Sequence, residues 1–458
     1  MQNNNVYAKI FKFNNLEEAR KTYPTNPAKA HDLIDEAIEY YIKKPNKNFP
    51  WLGWAYSDKA YFLDKEGNIK LALEYQTKSC EEQKKDFKKI KINEKKRNLV
   101  QCYYFLSGLL KDNNFLEKSL NVSTKAINIF NEFKNNNYEI DEYAGSKEFA
   151  YQLVHRARVF KDLFRYEESI KDYQQYLKAI SIKDLNELAS DDYLSALSEV
   201  EFIYSTRGDT KNEYKYLKLR YEIIQQYNKS NLNLQARINR DIGSHYQFTN
   251  QYDKAIYHFD LTLNFVKKSL KINNSYANKK KLFLDKEIAL MGKLDSEQSI
   301  KQDLDQYKKV YSLMLSMNDE LKLLDKSTAA YTILDIYYNL INDYEQRKIN
   351  LNNAKELVER QIKEAKKIDS WTLKFFINDK RNLMFDEAWN DIDLENFNNA
   401  LKIANELKNY ETNDTGISEV KKKVDLQNLF GQTYSGQKKY KKAIDSYLLA
   451  LDILNKSF

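Results

Sequence analysis

Glycine and proline are scarce here: 10 and 4 among 458 residues. That shortage leaves few of the positive-φ turns that β-hairpins need, and it excludes a strand-rich fold. Only two cysteines occur, Cys80 and Cys102. They are too few for a disulfide framework, and the expectation is a reducing, cytoplasmic setting. The four histidines, His31, His155, His245 and His258, have no HExxH or CxxC around them. A structural role is expected for each, and no metal. No GxGxxG, GxxxxGK[ST] or GxSxG motif is present, so neither a cofactor nor catalysis is expected. No run of 18 apolar residues exists, so no membrane-spanning helix is expected. Met1 to Asn5 is uncharged, and Val6 to Phe13 is too short and lysine-interrupted for a signal peptide. Charge of one sign is also missing: 74 basic residues face 66 acidic ones, a net +8 that is mild for this length.

What is present is apolar residues at 42%, charged residues at 31% and aromatics at 14%, a composition that folds. The aromatics recur on a ladder. Phe430-Gly431, Tyr434, Tyr440, Ala443-Ile444, Tyr447 and Ala450 are spaced by 3, 6, 3, 4 and 3 from Gly431 onward. The same ladder occurs at Ile242-Gly243, Tyr246, Tyr252, Ala255-Ile256, Phe259 and Thr262. It appears again at Ala157, Phe160, Tyr166, Ser169-Ile170, Tyr173 and Tyr176. In a helix, residues three or four apart share a face. A small residue followed by an aromatic three on is a notch beside a ridge. Small–x3–aromatic–x2–small is the matching ridge between two notches, so two antiparallel helices can approach closely. One such hairpin cannot bury its apolar face alone, and neighbours must stack on it.

This ladder resembles the tetratricopeptide (TPR) repeat. The resemblance covers about residues 50 to 458 and implies an all-α fold, a right-handed superhelical solenoid of helical hairpins. Length alone suggests about three globular domains; repetition overrides it. Taking the small residue that opens each second helix gives Ala72, Ser119, Ser169, Glu213, Ala255, Ser299, Ala354, Ala400 and Ala443, at intervals of 42 to 55 residues. The standard period is about 34, so these helices are long. Long-helix units of this kind are similar to those of kinesin light chains, MalT-type regulators and bacterial peptide-sensing regulators. The expected organisation is a helical cap over 1–50, repeats over 51–278, an irregular long-helix region over 279–353 and further repeats over 354–458. Ala28–Tyr41 reads as an amphipathic helix started by Asn26-Pro27. Glu213, large and charged, should loosen its unit or shift its register. Two long helices are expected between Lys279 and Leu324, with a change of curvature. Asn342–Asn353 and Asn409–Gly416 read as loops.

In TPR stacks the first helix of each pair lines the concave groove, which implies where a partner would sit. The rule selects Trp54, Ser57 and Tyr61, then Gln101 and Tyr104, then Tyr151, Val154 and Arg158, then Ser198 and Phe202. It continues with Arg237, Arg240 and Ser244, then Asn382, Phe385 and Trp389, then Asp425, Asn428 and Gln432. Trp, Tyr and Arg are the side chains that carry most interface energy. Arg158, Arg237 and Arg240 could clamp a carboxylate through paired donors. The aromatic cluster Phe49-Pro50-Trp51-Leu52-Gly53-Trp54 would wedge a cap onto the stack or line a binding mouth. Chaperone-binding TPR domains grip a terminal carboxylate with Lys and Asn. Ser57/Tyr61, Tyr104/Gly108, Val154/Arg158 and Arg240/Ser244 stand there instead, which disfavours that role. The expected function is a non-catalytic scaffold that binds a protein segment or peptide. A peptide-sensing regulator whose superhelix tightens on its ligand is one alternative. A nucleic-acid binder using the basic clusters Lys84–Arg97, Lys267–Lys281 and Lys421–Lys423 is the other.

Overall fold

A computed structural model describes residues 15–43, 51–85, 92–135, 142–179, 187–368, 370–409 and 416–457. Among them are twenty α-helices and no strand. They fall into two compact units. The first holds α1 (residues 15–22) and α2 (Pro27–Lys43), then the pairs α3 (Trp51–Lys65) with α4 (Ile69–Gln83), α5 (Ile92–Asp112) with α6 (Leu116–Asn135), and α7 (Glu142–Asp162) with α8 (Tyr166–Ala179). The second (the stretch Asp369–Trp371 apart) pairs α9 (Glu187–Thr206) with α10 (Thr210–Tyr227), α11 (Leu232–Phe248) with α12 (Tyr252–Ile272), and α13 (Tyr276–Ile300) with α14 (Asp305–Asp319). A 3-10 turn (Leu323–Asp325) leads on to α15 (Ala329–Leu340) with α16 (Tyr344–Ala365), α17 (Ser370–Asp393) with α18 (Phe397–Lys408), and α19 (Gly416–Gly436) with α20 (Tyr440–Ser457). These are consecutive helical hairpins.

Eight of the hairpins turn on the same backbone device. Gly67, Asn114, Phe164, Gly208, Asn250, Asn342, Glu395 and Lys438 all have φ between 56° and 77°. Around Asn250, its own N–H donates to Gln247 O (3.0 Å) and that of Gln251 to Tyr246 O (2.8 Å). This is a Schellman cap, which satisfies carbonyls that the end of a helix leaves open. The other seven turns repeat both bonds. Six of the eight residues are not glycine, which explains how a glycine-poor chain makes so many turns.

Five residues past each left-handed residue lies the small marker, whose N–H makes the first full turn of the second helix. Ala72, Ser119, Ser169, Ala255, Ala400 and Ala443 hold this place, all buried. Glu213 and Arg347 hold it in two other units. Glu213 does not shift its register: Glu213 N–H donates to Asp209 O at 3.0 Å, and the buried carboxylate faces His245 Nδ1 at 3.2 Å. Arg347 is likewise buried and pairs with Asp335 (2.8 Å) and Asp393 (3.0 Å). Ala354 is therefore not the marker of its unit, but lies further along α16. Ser299 is not one either; it is exposed in the last turn of α13. The hairpin that follows is the exception to the common turn. There the Gln298 side chain closes the link, donating to Asp303 O and accepting from Asp303 N–H, both at 2.8 Å.

Asn342–Asn353 is not a loop. Asn342 is the turn residue, Asp343 caps the helix by accepting from Gln346 N–H, and the rest is α16. Such caps are worth about 1 kcal/mol, and Asp209, Asn231 and Ser275 repeat them. Two helices do lie between Lys279 and Leu324, α13 and α14. The N-terminal amphipathic helix is α2, started as expected with Asn26 Oδ1 accepting from Lys29 N–H at 3.1 Å. Most of Asn409–Gly416, Phe49-Pro50 and the stretch Met1 to Phe13 lie outside the described residues.

The signature residues pack as their spacing requires. Tyr173 and Phe259 are fully buried. A Cβ on Gly243 would stand 2.8 Å from the Phe259 ring, and one on Gly292 of α13 would collide with the same ring. Phe259 thus fills a slot that only glycine leaves open. The cysteines depart from expectation. Cys80 of α4 and Cys102 of α5 form a disulfide, a single cross-link between neighbouring hairpins.

Candidate functional site

Helix α5 shows why a site forms in the first unit. Its residues Asn98, Gln101, Tyr104, Phe105, Gly108, Lys111 and Asp112 recur at three- and four-residue spacing and so share one face. That face lines a cavity of about 880 Å³ with residues from α1, α3, α4 and α7. The volume is in the range of small-molecule and peptide sites, ~300–1,000 Å³.

Three kinds of group surround it. Five rings stand on its walls: Trp54, Tyr61, Phe62, Tyr104 and Phe105. Tyr61 and Phe105 are about half exposed, whereas Phe62 is buried against Tyr23, the two rings 4.0 Å apart and stacked. Four carboxamides join them: Gln76, Gln83, Asn98 and Gln101. Gln76 is anchored by Ser57 Oγ, which donates to Oε1 at 3.1 Å. Asn98 Nδ2 is buried with no hydrogen-bond acceptor, and Gln101 is exposed. The charges largely cancel. Arg20 binds Asp58 at 3.0 Å through Nε, and Lys111 lies 3.4 Å from Asp112 and 3.7 Å from Asp162. Burial raises the Asp58 carboxyl pKa against the lowering effect of Arg20.

His155 closes the floor. Its Nε2 is 2.7 Å from Ser107 Oγ, which in turn touches Ser119 Oγ at 2.9 Å. Burial, aided by the Lys111 and Arg158 charges, pushes the imidazole down to about 4, so it is neutral at pH 7. Gly108 lies beside it. A Cβ there would meet only His155 Cε1, at 3.9 Å, so the glycine leaves room in the cavity.

Of the residues expected in a groove, Trp54, Tyr61, Tyr104 and Arg158 line this cavity together, with Ser57 and Gln101. Tyr151, half-buried on α7, is not among its walls. In the second unit the same rule scatters. Phe202 and Arg237 are exposed on α9 and α11. Arg240 is not a free clamp: its Nε donates to Asp241 at 2.8 Å and its Nη1 to Asp285. Phe385 is not in a groove but in the core of α17, α18 and α19, with Trp389 packed against it. Sequence reasoning missed Gln76 and Gln83, because they come from a second helix, α4. Their signal was polar residues seven apart on its buried face. Each of the four histidines meets a polar partner; His31 Nε2 lies 2.7 Å from Glu66 and His258 Nδ1 2.9 Å from Asn239. Among the described residues no group of His, Cys, Asp and Glu is arranged to hold a metal, and no helix is long and apolar enough to cross a membrane.

No protein-family model matches the chain, and no curated protein does. Solved structures are similar in fold. The apo form of the quorum sensor NprR from B. thuringiensis is 12% identical over 96% of this chain and 98% of that one, with a TM-score of 0.45. Aspartyl phosphate phosphatase F from Bacillus subtilis is 14% identical over 87% of this chain and 92% of its own, at 0.45. A putative kinesin light chain with TPR-like repeats from Podosopora anserina is 15% identical over 46% and 94%, at 0.36.

Proposed function

We propose that the chain is a non-catalytic binding protein whose first unit takes an extended, uncharged stretch of peptide into the cavity beside α5. The observation that supports this most directly is the pair Asn98 and Gln101. A carboxamide offers both a carbonyl acceptor and N–H donors, so it can pair with the N–H and the C=O of a peptide group. Leaving a buried donor such as Asn98 Nδ2 unpaired costs about 1–3 kcal/mol, which a ligand carbonyl would recover once the side chain turns towards the cavity. The surrounding rings would cover a ligand side chain, and the mutual pairing of Arg20 with Asp58 and of Lys111 with Asp112 leaves little field to attract a charged one. Nucleic acid fits less well, because Lys279 is bonded to Glu320 at 2.6 Å and Lys280 to Asp325, and Lys421–Lys423 lies within α19.

The test is selection of a random peptide library on the full chain, followed by titration of the enriched peptides. Gln101→Ala should weaken them by about 1–3 kcal/mol, or five- to 150-fold. Gly108→Leu, which puts a side chain into the cavity beside His155, should weaken them with the helix content unchanged. Peptides that bind both variants as well as the parent chain would end this reading.

A further inference from the structure

We propose that Cys102 is a site of thiol–disulfide exchange, reached through the first unit's cavity by a small thiol of the glutathione class. The Cys80–Cys102 bond ties α4 to α5. Both residues are almost wholly buried, Cys80 at 2% and Cys102 at 5% exposure. Burial alone would make such a bond inert. The two sulfurs are nevertheless unlike in one respect. Cys102 is part of the cavity wall, and Cys80 is not. A thiolate entering the cavity therefore approaches the bond from the Cys102 side, which makes Cys80 the leaving group.

The electron count closes without a further reagent. The thiolate RS⁻ attacks Cys102 Sγ, the S–S bond breaks, and Cys80 leaves as a thiolate that takes up a proton. The product is a mixed disulfide on Cys102. A second RS⁻ attacks the outer sulfur of that mixed disulfide, releasing RSSR and the Cys102 thiolate. Two thiols are oxidised and one protein disulfide is reduced. The fold supplies a donor for this last step: Gln76 Nε2 lies 3.3 Å from Cys102 Sγ, where it would stabilise the departing thiolate. Ser79 Oγ lies 3.4 Å from the same sulfur.

Gln76 and Cys102 are both walls of the cavity assigned above to peptide, so an occupant would shield the bond. That shielding rests on the peptide reading. The exchange itself does not, because glutathione alone probes it.

The full chain, purified without reductant, is treated with reduced glutathione at neutral pH in native buffer. It is quenched with iodoacetamide, digested and read by mass spectrometry. The expected first product carries glutathione on Cys102 and the alkyl label on Cys80. Gly108→Leu, which narrows the cavity beside His155, should slow its appearance by about tenfold or more through lost access. Phe105→Ala trims a half-exposed ring at the same wall and should speed it, which decides the matter if the leucine variant fails to fold. The proposal is overturned if the untreated chain has two free thiols, or if glutathione appears first on Cys80. It is equally overturned if neither variant changes the rate, or if exchange tracks global unfolding in urea.

Discussion

The two units share a turn and differ in what they do with the face it presents. Ten residues before the left-handed residue of each hairpin, the first helix carries one side chain of fixed register. In the first unit this place holds Tyr104, ten before Asn114, and its ring lines an open cavity. In the second unit it holds Arg240, ten before Asn250, which is locked between Asp241 and Asp285. Further on it holds Phe385, ten before Glu395, which is core. One backbone position thus has three fates, decided by the neighbouring hairpin. The second unit fills its space with an arginine–carboxyl network: Arg220 joins Glu201 (3.0 Å) to Asp241, and Asp241 is shared with Arg240. The first unit leaves space, walled by rings and carboxamides.

The largest effect that could break this contrast lies in the ion network. Arg220 is buried, and Arg220→Ala would leave Glu201 and Asp241 without their shared partner. Removing one member of a buried pair costs about 3–5 kcal/mol. Urea unfolding should show that loss, while Gln101→Ala in the first unit should change stability by under about 0.5 kcal/mol. Equal losses would mean that the two faces are not built differently.

The next effect is pH, with opposite signs in the two units. His155 has its pKa pushed down to about 4 by burial, against an unfolded value near 6.5. Between those values the unfolded chain binds the proton and the folded one does not. Stability in the first unit should therefore fall as pH drops from about 6.5 to 4, by about 3 kcal/mol at the end. His155→Gln should flatten that part of the profile. Burial instead raises Glu201 to about 8, against the Arg220 charge, so the folded second unit keeps its proton where the unfolded chain has lost it. Its contribution is present below about 4.5 and is lost as pH rises towards 8. Melting curves across this range that leave His155→Gln no flatter than the parent chain would contradict the first assignment.

The smallest effect concerns what the units share. Phe164 and Lys438 hold φ near 60°, where a side chain costs about 1–2 kcal/mol. Phe164→Gly in one unit and Lys438→Gly in the other should each stabilise by about 1 kcal/mol in thermal melts. Gly208→Ala, with open space around it but φ at 70°, should lose about the same. Destabilisation by both glycine variants would show that the turns are not the common device.

Much of the fold was legible because helical spacing is local. The ladders at Ala157, Gly243 and Gly431 name their faces whatever surrounds them. The reading slipped at Ser299 and Ala354 because it looked for small residues, and Arg347 fills a small residue's place by pairing with two aspartates instead. It slipped at Asn342–Asn353 because a polar stretch was read as loop, although Asn342 is a turn and Asp343 a cap. The candidate site was half visible. Trp54, Tyr61, Tyr104 and Arg158 follow from first-helix register, but Gln76, Gln83 and Arg20 reach the cavity from α4 and α1.

By itself the sequence determined that this chain is a run of helical hairpins, since a side-chain period is set by the 3.6-residue turn and needs no distant partner. It also determined which residues notch and which ridge. Packing between hairpins settled which faces stay open, which fill with arginine–carboxyl pairs, and that Cys80 meets Cys102. Those outcomes depend on contacts between hairpins, and a residue's spacing does not say what the next hairpin will press against it.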